Sequence, residues 1–97
     1  MTSSMRDPSL VPIPSEGFRV EELDGETLLY FHERKTLVYL NPSAASVWKL
    51  CDGLRSTDDI VAMLSEAYPE AANAIGSDVR DAIESLVREG ALRLATP

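Results

Sequence analysis

The chain has 97 residues, and its nine lysines and arginines against sixteen aspartates and glutamates give it a formal net charge of -7. This length suits one small domain of two layers, and 44% hydrophobic with 26% charged residues is ordinary for a soluble globular protein. The acidity disfavours nucleic-acid binding, since affinity for phosphates depends on clustered cations. One cysteine excludes an internal disulfide, and the sequence has neither a signal-peptide core nor the roughly 18 to 20 apolar residues of a membrane span, so a cytoplasmic location is expected.

The first 14 residues are rich in proline and in small or polar residues, which predicts a flexible N-terminal arm preceding a folded domain over 15–97. Leu10, Val11 and Ile13 are the apolar exceptions in this arm. They leave open the alternative that the segment docks on the domain or on a partner.

Three short strands are predicted over residues 18–23, 27–32 and 36–40, because each segment is dense in aliphatic, β-branched or aromatic residues. Residues 24–26 read Asp-Gly-Glu, a hairpin-turn signal, and residues 33–35 form a charged turn. These short connections predict an antiparallel meander. In a meander the last strand lies at an edge unless something covers it.

The third strand leads directly into a helix. Asn41 is a preferred N-cap and Pro42 is tolerated at the first helical position, where its missing N–H has no partner to lose. Apolar residues then recur at spacings of three and four as far as Cys51, and residues 52–53, Asp-Gly, supply the stop. Trp48 on this helix is expected to fill the core.

A second helix is predicted to begin after Ser56, which forms a capping-box pattern with Asp59 and is followed by an apolar stripe that ends at Pro69. Residues 70–76 are predicted to form a loop.

The third helix is predicted to begin at residues 77–78, Ser-Asp, and to end at Gly90, with the cleanest amphipathic stripe in the chain. Its charged residues Arg80, Glu84 and Arg88 recur every four residues, which is typical of a solvated face. Residues 91–94 carry weak strand alternation.

Catalytic chemistry is not indicated. Cys51 and His32 are the only residues of their kinds, but no carboxylate spacing supplies the third group that a thiol nucleophile needs. A buried Cys51 and a surface His32 are the simpler interpretation. The sequence has no recognised metal-ligand spacing and no glycine-rich phosphate loop, so no catalytic residue, metal or cofactor is expected.

Several segments form a recognisable pattern over about residues 15–95. The most specific are LNPSAA at 40–45 and VWKLCDG at 47–53, followed by STDDI at 56–60. Supporting segments are LLY at 28–30, Asp78-Val79, Leu86 and GAL at 90–92. Together they resemble the PqqD family, the small peptide chaperones of pyrroloquinoline quinone biosynthesis. The same fold, called the RiPP recognition element, occurs fused to or beside enzymes that modify ribosomally made peptides.

The resemblance implies an α+β, winged-helix-like domain, in which a three-stranded antiparallel sheet packs on three helices. It also implies a non-catalytic protein that binds the leader segment of a precursor peptide by strand addition, in a groove between the third strand and the third helix. The corresponding candidate peptide-binding residues here are Leu37, Val38, Tyr39, Val79, Arg80, Ile83, Glu84 and Val87. Among the helix candidates, Arg80 and Glu84 are favoured for specificity, since the apolar stripe is needed for the core.

The implied partners are a precursor (leader) peptide and a separate modifying enzyme, such as a radical-SAM enzyme, a cyclase or a leader protease. Two alternatives stay open at this point. A winged-helix transcription factor shares the element order, although four carboxylates against two arginines in residues 78–89 argue against a DNA-recognition helix. A structural or regulatory subunit that associates with itself through the same edge strand fits the residues as well.

Overall fold

The structure is a computed structural model that describes residues 9–24 and 26–96. It confirms the predicted α+β, winged-helix-like class, with a three-stranded antiparallel sheet and three helices. None of the helices in these residues is both long and apolar enough to cross a membrane. In chain order, the elements are β1 Val11–Pro14, β2 Phe18–Leu23, β3 Glu26–Phe31, β4 Thr36–Leu40, α1 Pro42–Leu50, α2 Thr57–Ala67, a 3-10 turn Pro69–Ala71, α3 Ala72–Arg88 and β5 Leu92–Ala95.

The predicted meander is confirmed as the sheet β2-β3-β4, in which both pairs of neighbouring strands are antiparallel. Its turns use left-handed backbone at Asp24 (φ 52°) and at Lys35 (φ 52°). The two-residue β2–β3 turn and the longer β3–β4 turn therefore set the register of all three strands.

The two faces of β4 differ sharply in exposure. Val38 and Leu40 are 2% and 1% exposed and pack in the core, whereas Leu37 and Tyr39 are 60% and 53% exposed on the opposite face. The sequence left this orientation open because both alternating pairs are apolar. The core on the buried face joins the sheet to all three helices and to β5 through Leu29, Phe31, Val47, Trp48, Ile60, Val79, Ile83, Leu86 and Leu92.

The first two helices begin as predicted. The Asn41 side chain accepts a hydrogen bond from the Ala44 N–H at 2.8 Å, and Ser56 and Asp59 form both bonds of the capping box. The Trp48 ring lies in the core and contacts Phe18 edge-on, with 5.2 Å between ring centroids. The Asn41 cap thus fixes the start of α1 directly after β4, and the contact between Trp48 and Phe18 fixes this helix against β2.

The predicted loop over 70–76 is wrong, since α3 begins at Ala72 and a 3-10 turn precedes it. The segment contains several alanines, which favour helix, and Ile75 is 8% exposed and adds one turn to the buried stripe. Gly76 is accommodated inside the helix, where the Arg80 guanidinium covers it. Tertiary burial of Ile75 therefore outweighs the helix cost of Gly76.

A flexible arm over the whole of 1–14 is also wrong, because Val11–Pro14 forms β1 and pairs antiparallel with β5. Leu10 is 6% exposed, and its carbonyl accepts hydrogen bonds from the Thr57 N–H at 2.9 Å and the Thr57 hydroxyl at 3.3 Å. For residues 10–14, the structure shows the alternative, in which the segment docks on the domain. Residues 1–8 lie outside the described part of the chain.

Arg34 in the β3–β4 turn links the sheet to the end of α3. Its guanidinium lies 4.2 Å from the centroid of the Phe31 ring and donates a hydrogen bond to the Gly90 carbonyl at 3.1 Å. Gly90 follows the helix with φ 80°, a conformation that favours glycine. This contact fixes the turn end of β4 relative to the C-terminal end of α3.

Candidate functional site

The open edge of β4 is the first feature of the candidate site. In the sheet order β2-β3-β4, and within the residues that the structure describes, β4 has β3 as its single neighbour. Its other side therefore presents backbone N–H and C=O groups that the sheet does not use.

The residues that present these groups follow from the register. Leu23 and Glu26 flank a two-residue turn, so they must exchange both of their backbone hydrogen bonds. Because such bonded pairs alternate along an antiparallel ladder, residues 26, 28 and 30 of β3 bond to β2, and residues 27, 29 and 31 bond to β4.

On β4, residues 36, 38 and 40 are the partners of residues 31, 29 and 27. Their backbone groups therefore point inward to β3, and those of Leu37 and Tyr39 point to the open side. The two residues whose side chains are most exposed on β4 are thus also the two whose main chain is available to a further strand.

A cleft of about 450 Å³ runs beside this edge, between the end of β4 and one face of α3. We call it the strand–helix cleft. The end of β4 contributes Tyr39 and Leu40, and α1 contributes Ser43 and Ala44. The helix α3 contributes residues spaced three and four apart, which lie on one face: Asp78, Asp81, Ala82, Ser85, Leu86 and Glu89.

The strand–helix cleft is acidic. Asp78, Asp81 and Glu89 are all on its α3 wall, and no lysine or arginine of the described residues lines it. This wall would repel a phosphate backbone, which argues against use of α3 as a DNA-recognition helix. It suits a ligand that carries positive charge.

Tyr39 lies at the rim of the cleft. The hydrogen bond to the Glu26 carboxylate, followed by desolvation and by the charge of the same carboxylate, raises the pKa of the Tyr39 hydroxyl above its usual value. The Tyr39 hydroxyl therefore stays neutral at physiological pH.

The predicted site residues on β4 and on the buried stripe of α3 are divided by burial. Leu37 and Tyr39 are exposed at the open edge, whereas the side chains of Val38, Val79 and Ile83 are 2%, 1% and 1% exposed. These three side chains form part of the core and offer almost no surface to a ligand.

The remaining predicted residues, Arg80, Glu84 and Val87, do not line the strand–helix cleft. At about 100° per residue they project from α3 more than a quarter turn away from Ser85, which lies in the cleft wall. The sequence signal for the cleft-facing side was the row of carboxylates and small residues at positions 78, 81, 82, 85 and 89. This row is less regular than the four-residue repeat of Arg80, Glu84 and Arg88, so periodicity alone does not single it out.

The one cysteine is chemically quiet. Cys51 is 3% exposed, and its thiol donates to the Val47 carbonyl at 3.2 Å. Burial, and secondarily the charge of Asp52, raises the pKa of the Cys51 thiol to about 12. His32 is an exposed residue just after β3, with its ring centroid 6.1 Å from that of Tyr30. Over the described residues, no group of three or more His, Cys, Asp or Glu side chains is placed to hold a metal ion.

The fold and the open strand beside α3 define a small winged-helix-like domain. Residues 26–92 match the model of the family described as "Coenzyme PQQ synthesis protein D (PqqD)". This match covers more than half of the chain, from β3 to the start of β5, and the chain belongs to the PqqD family.

Two individual proteins show further similarity. The "PqqA binding protein" of Methylococcus capsulatus (strain ATCC 33009 / NCIMB 11132 / Bath) is 37% identical over 57 residues, which is 59% of this chain and 59% of the relative. A solved structure, described as TbiB1 in complex with the TbiA(beta) leader peptide, superposes with a TM-score of 0.70 at 20% identity, covering 84% of this chain and 94% of the other. At this identity the superposition shows a shared fold.

Proposed function

We propose that this protein is a non-catalytic recognition element that binds the leader segment of a ribosomally synthesised precursor peptide and delivers it to a separate modifying enzyme. The observation that carries this proposal is the open edge at Leu37 and Tyr39 beside the strand–helix cleft. The names of the two similar proteins, one a binder of PqqA and one solved with a leader peptide, support a peptide as the ligand.

Strand addition at β4 gives the peptide two kinds of contact. The N–H and C=O groups of Leu37 and Tyr39 offer four main-chain hydrogen bonds to an incoming strand. Because side chains alternate along a strand, one set of peptide residues then faces the acidic cleft, and the other set lies beside the Leu37 and Tyr39 side chains.

The magnitudes show why both kinds of contact are needed. Four main-chain hydrogen bonds at about 0.5 to 1.5 kcal/mol each stabilise the complex by about 2 to 6 kcal/mol. Micromolar binding requires about 8 kcal/mol. The remainder must come from apolar burial, to which Leu37 and Tyr39 at 60% and 53% exposure can contribute.

The absence of catalysis is part of the proposal. A thiol with a pKa of about 12 that lies in the core is not a nucleophile at neutral pH, and the lone His32 is on the surface. The chemical step therefore falls to a partner, such as a radical-SAM enzyme, a cyclase or a leader protease.

Proline substitution on the outward-pointing residues tests the proposal. Leu37→Pro and Tyr39→Pro remove N–H groups that the isolated sheet does not use, so circular dichroism should show a folded protein. Calorimetric titration should show at least about tenfold weaker binding of a peptide selected on the parent from a displayed random library, because a main-chain bond is lost and the ring obstructs the incoming strand.

Val20→Pro is the matched control, since by the same alternation the Val20 N–H points outward from the opposite edge of the sheet, on β2. It should bind the peptide as tightly as the parent. If the folded Leu37→Pro and Tyr39→Pro variants also bind as tightly as the parent, strand addition at β4 is wrong.

A further inference from the structure

A second cavity, of about 360 Å³, lies between the three helices and opens to the surface. We call it the interhelical pocket. Its apolar lining comes from Val47 of α1, Leu64 and Tyr68 at the end of α2, and Ile75 and Val79 of α3. This volume is within the range of sites that bind small molecules or single side chains.

The interhelical pocket adjoins the strand–helix cleft. Ser43, Asp78 and Ala82 line both cavities, so they form a shared border with Ser43 on one side and α3 on the other. The pocket lies next to the N-terminal end of α1, which follows β4 after the single residue Asn41. A peptide that leaves β4 at its C-terminal end and crosses this border therefore reaches the pocket directly.

The rim of the pocket also points to an apolar occupant. Tyr68 is 53% exposed there, although a large aromatic side chain usually finds burial in a domain of this size. The charged residues that line the two cavities are Asp78, Asp81, Glu89 and Glu70, and no lysine or arginine of the described residues lines either cavity. Charge complementarity thus favours a peptide with basic residues next to its apolar one.

Resting on the proposed function, we propose that the interhelical pocket anchors an apolar side chain of the same peptide that pairs with β4, and that basic residues of this peptide face the carboxylates of α3. A peptide antiparallel to β4 carries the anchor on the N-terminal side of its paired segment, and a parallel peptide carries it on the C-terminal side. The ligand class is therefore a basic peptide with one apolar anchor beside a strand-forming segment.

Filling the pocket tests the inference. Ser46→Trp on α1 and Ala71→Trp before α3 each place an indole in the lining of the pocket, from two different elements, and both parent residues are exposed, so the fold should be retained. Ala62→Trp is the matched control, because Ala62 is an exposed α2 residue that lines neither cavity. The probe is a displayed library of random peptides, selected in parallel on the parent and on each variant.

The parent and the Ala62→Trp control should enrich peptides with an apolar residue at a fixed distance from a β-branched segment and with nearby lysine or arginine. At least one pocket-filling variant should lose this preference and bind the parent's peptides about ten- to a hundredfold more weakly, the scale of one buried aliphatic or aromatic side chain. Replacing the anchor by alanine in such a peptide should weaken binding to the parent by a similar factor and barely affect the filled variant.

The result that overturns the inference is peptide selection by both filled variants that matches the Ala62→Trp control in sequence and affinity. The proposed function then still stands if Leu37→Pro weakens binding, and it fails separately if Leu37→Pro has no effect or if the parent enriches no peptides. A variant that begins at Ser9 tests the remaining possible occupant of the pocket, which is the chain's own residues 1–8. If anchored peptides bind only when residues 1–8 are removed, the pocket belongs to the chain's own N-terminal segment, and the inference is wrong.

Discussion

The two edges of the three-stranded sheet carry opposite kinds of side chain. The β2 edge carries Arg19, Glu21 and Glu22, with ion pairs from Arg19 Nε to Glu21 at 3.4 Å and from Lys49 Nζ to Glu22 at 3.5 Å. The β4 strand contains no charged residue and exposes Leu37 and Tyr39. Charged residues discourage pairing with a further strand, so only the β4 edge is chemically suited to accept one.

An edge strand can expose apolar side chains and still be protected from pairing by charged residues along it. Val20 and Leu23 of β2 are also 43% and 59% exposed, yet the charged residues between them interrupt any apolar row. A site assignment based on exposed apolar residues alone would not separate the two edges. The charged residues Arg19, Glu21 and Glu22 of β2 do separate them.

The largest expected effect comes from proline at an inward-pointing position of β4. Val38→Pro removes an N–H that bonds to β3 and places the ring in the core, so we expect a loss of about 3 kcal/mol or more in the free energy of unfolding. Urea denaturation followed by circular dichroism measures it. Equal stability for Val38→Pro and Leu37→Pro would contradict the assigned hydrogen-bond alternation.

Making β4 resemble β2 should abolish binding without unfolding the protein. The double variant Leu37→Lys, Tyr39→Lys places positive charges on exposed positions, where substitutions usually change stability by about 0.5 kcal/mol or less. Peptide affinity should fall by about a hundredfold or more, measured by calorimetry, because apolar contacts are lost and charges are desolvated. Val20→Lys on β2 is the control that should leave affinity unchanged.

Self-association through β4 gives a different outcome for the same double variant. If the edge served to pair two copies of the chain, the parent would sediment as a dimer in analytical ultracentrifugation, and the variant as a monomer. We expect a monomer for both.

The contact between Arg34 and Gly90, at the turn end of β4, should have an intermediate effect on stability. Gly90→Ala is strained by the positive φ, and the new Cβ would meet the Arg34 guanidinium, so we expect a loss of about 1 to 3 kcal/mol in the free energy of unfolding. Thermal unfolding measures this loss. In the background of Arg34→Ala, the further cost of Gly90→Ala should shrink to the backbone strain alone, and unchanged additivity would show that the contact is unimportant.

The smallest expected effect is on the titration of Tyr39. Because the Glu26 carboxylate raises the pKa of the Tyr39 hydroxyl, Glu26→Gln should lower this pKa towards its usual value. Ultraviolet titration of tyrosinate, with Tyr39→Phe used to identify the Tyr39 contribution, measures the change. An unchanged Tyr39 titration would show that the two side chains do not interact in solution.

Local chemistry made most of the fold predictable. The turn at Asp24, the Asn41 cap and the Ser56 capping box each act within a few residues, and all three structures form as the sequence indicates. The pairing of β1 with β5 was not predictable in this way, because it joins opposite ends of the chain, and the weak alternation over residues 91–94 gives no partner for that strand. The early start of α3 likewise depends on burial of Ile75.

The open edge at β4 was predictable from the sequence, but the facing of the side chains around it was not. The edge position of β4 follows from the order of the strands. Which face of β4 points outward does not follow from the sequence, because residues 37–40 are apolar on both faces. The favoured α3 residues Arg80 and Glu84 lie away from the cleft, because the facing of a helix depends on how it packs. Carboxylates and small residues, such as Asp78 and Ala82, face the cleft instead.

The pairing of β1 with β5 also affects how this domain can be joined to other proteins. Because Val11 lies opposite Ala95, the chain enters and leaves the folded unit at nearly the same place. A unit of this kind can be spliced into a surface loop of a host, or tethered at either end, with little disturbance to the host backbone. Gene fusion to an enzyme would then replace diffusional encounter by a fixed local concentration, without any change at the β4 edge.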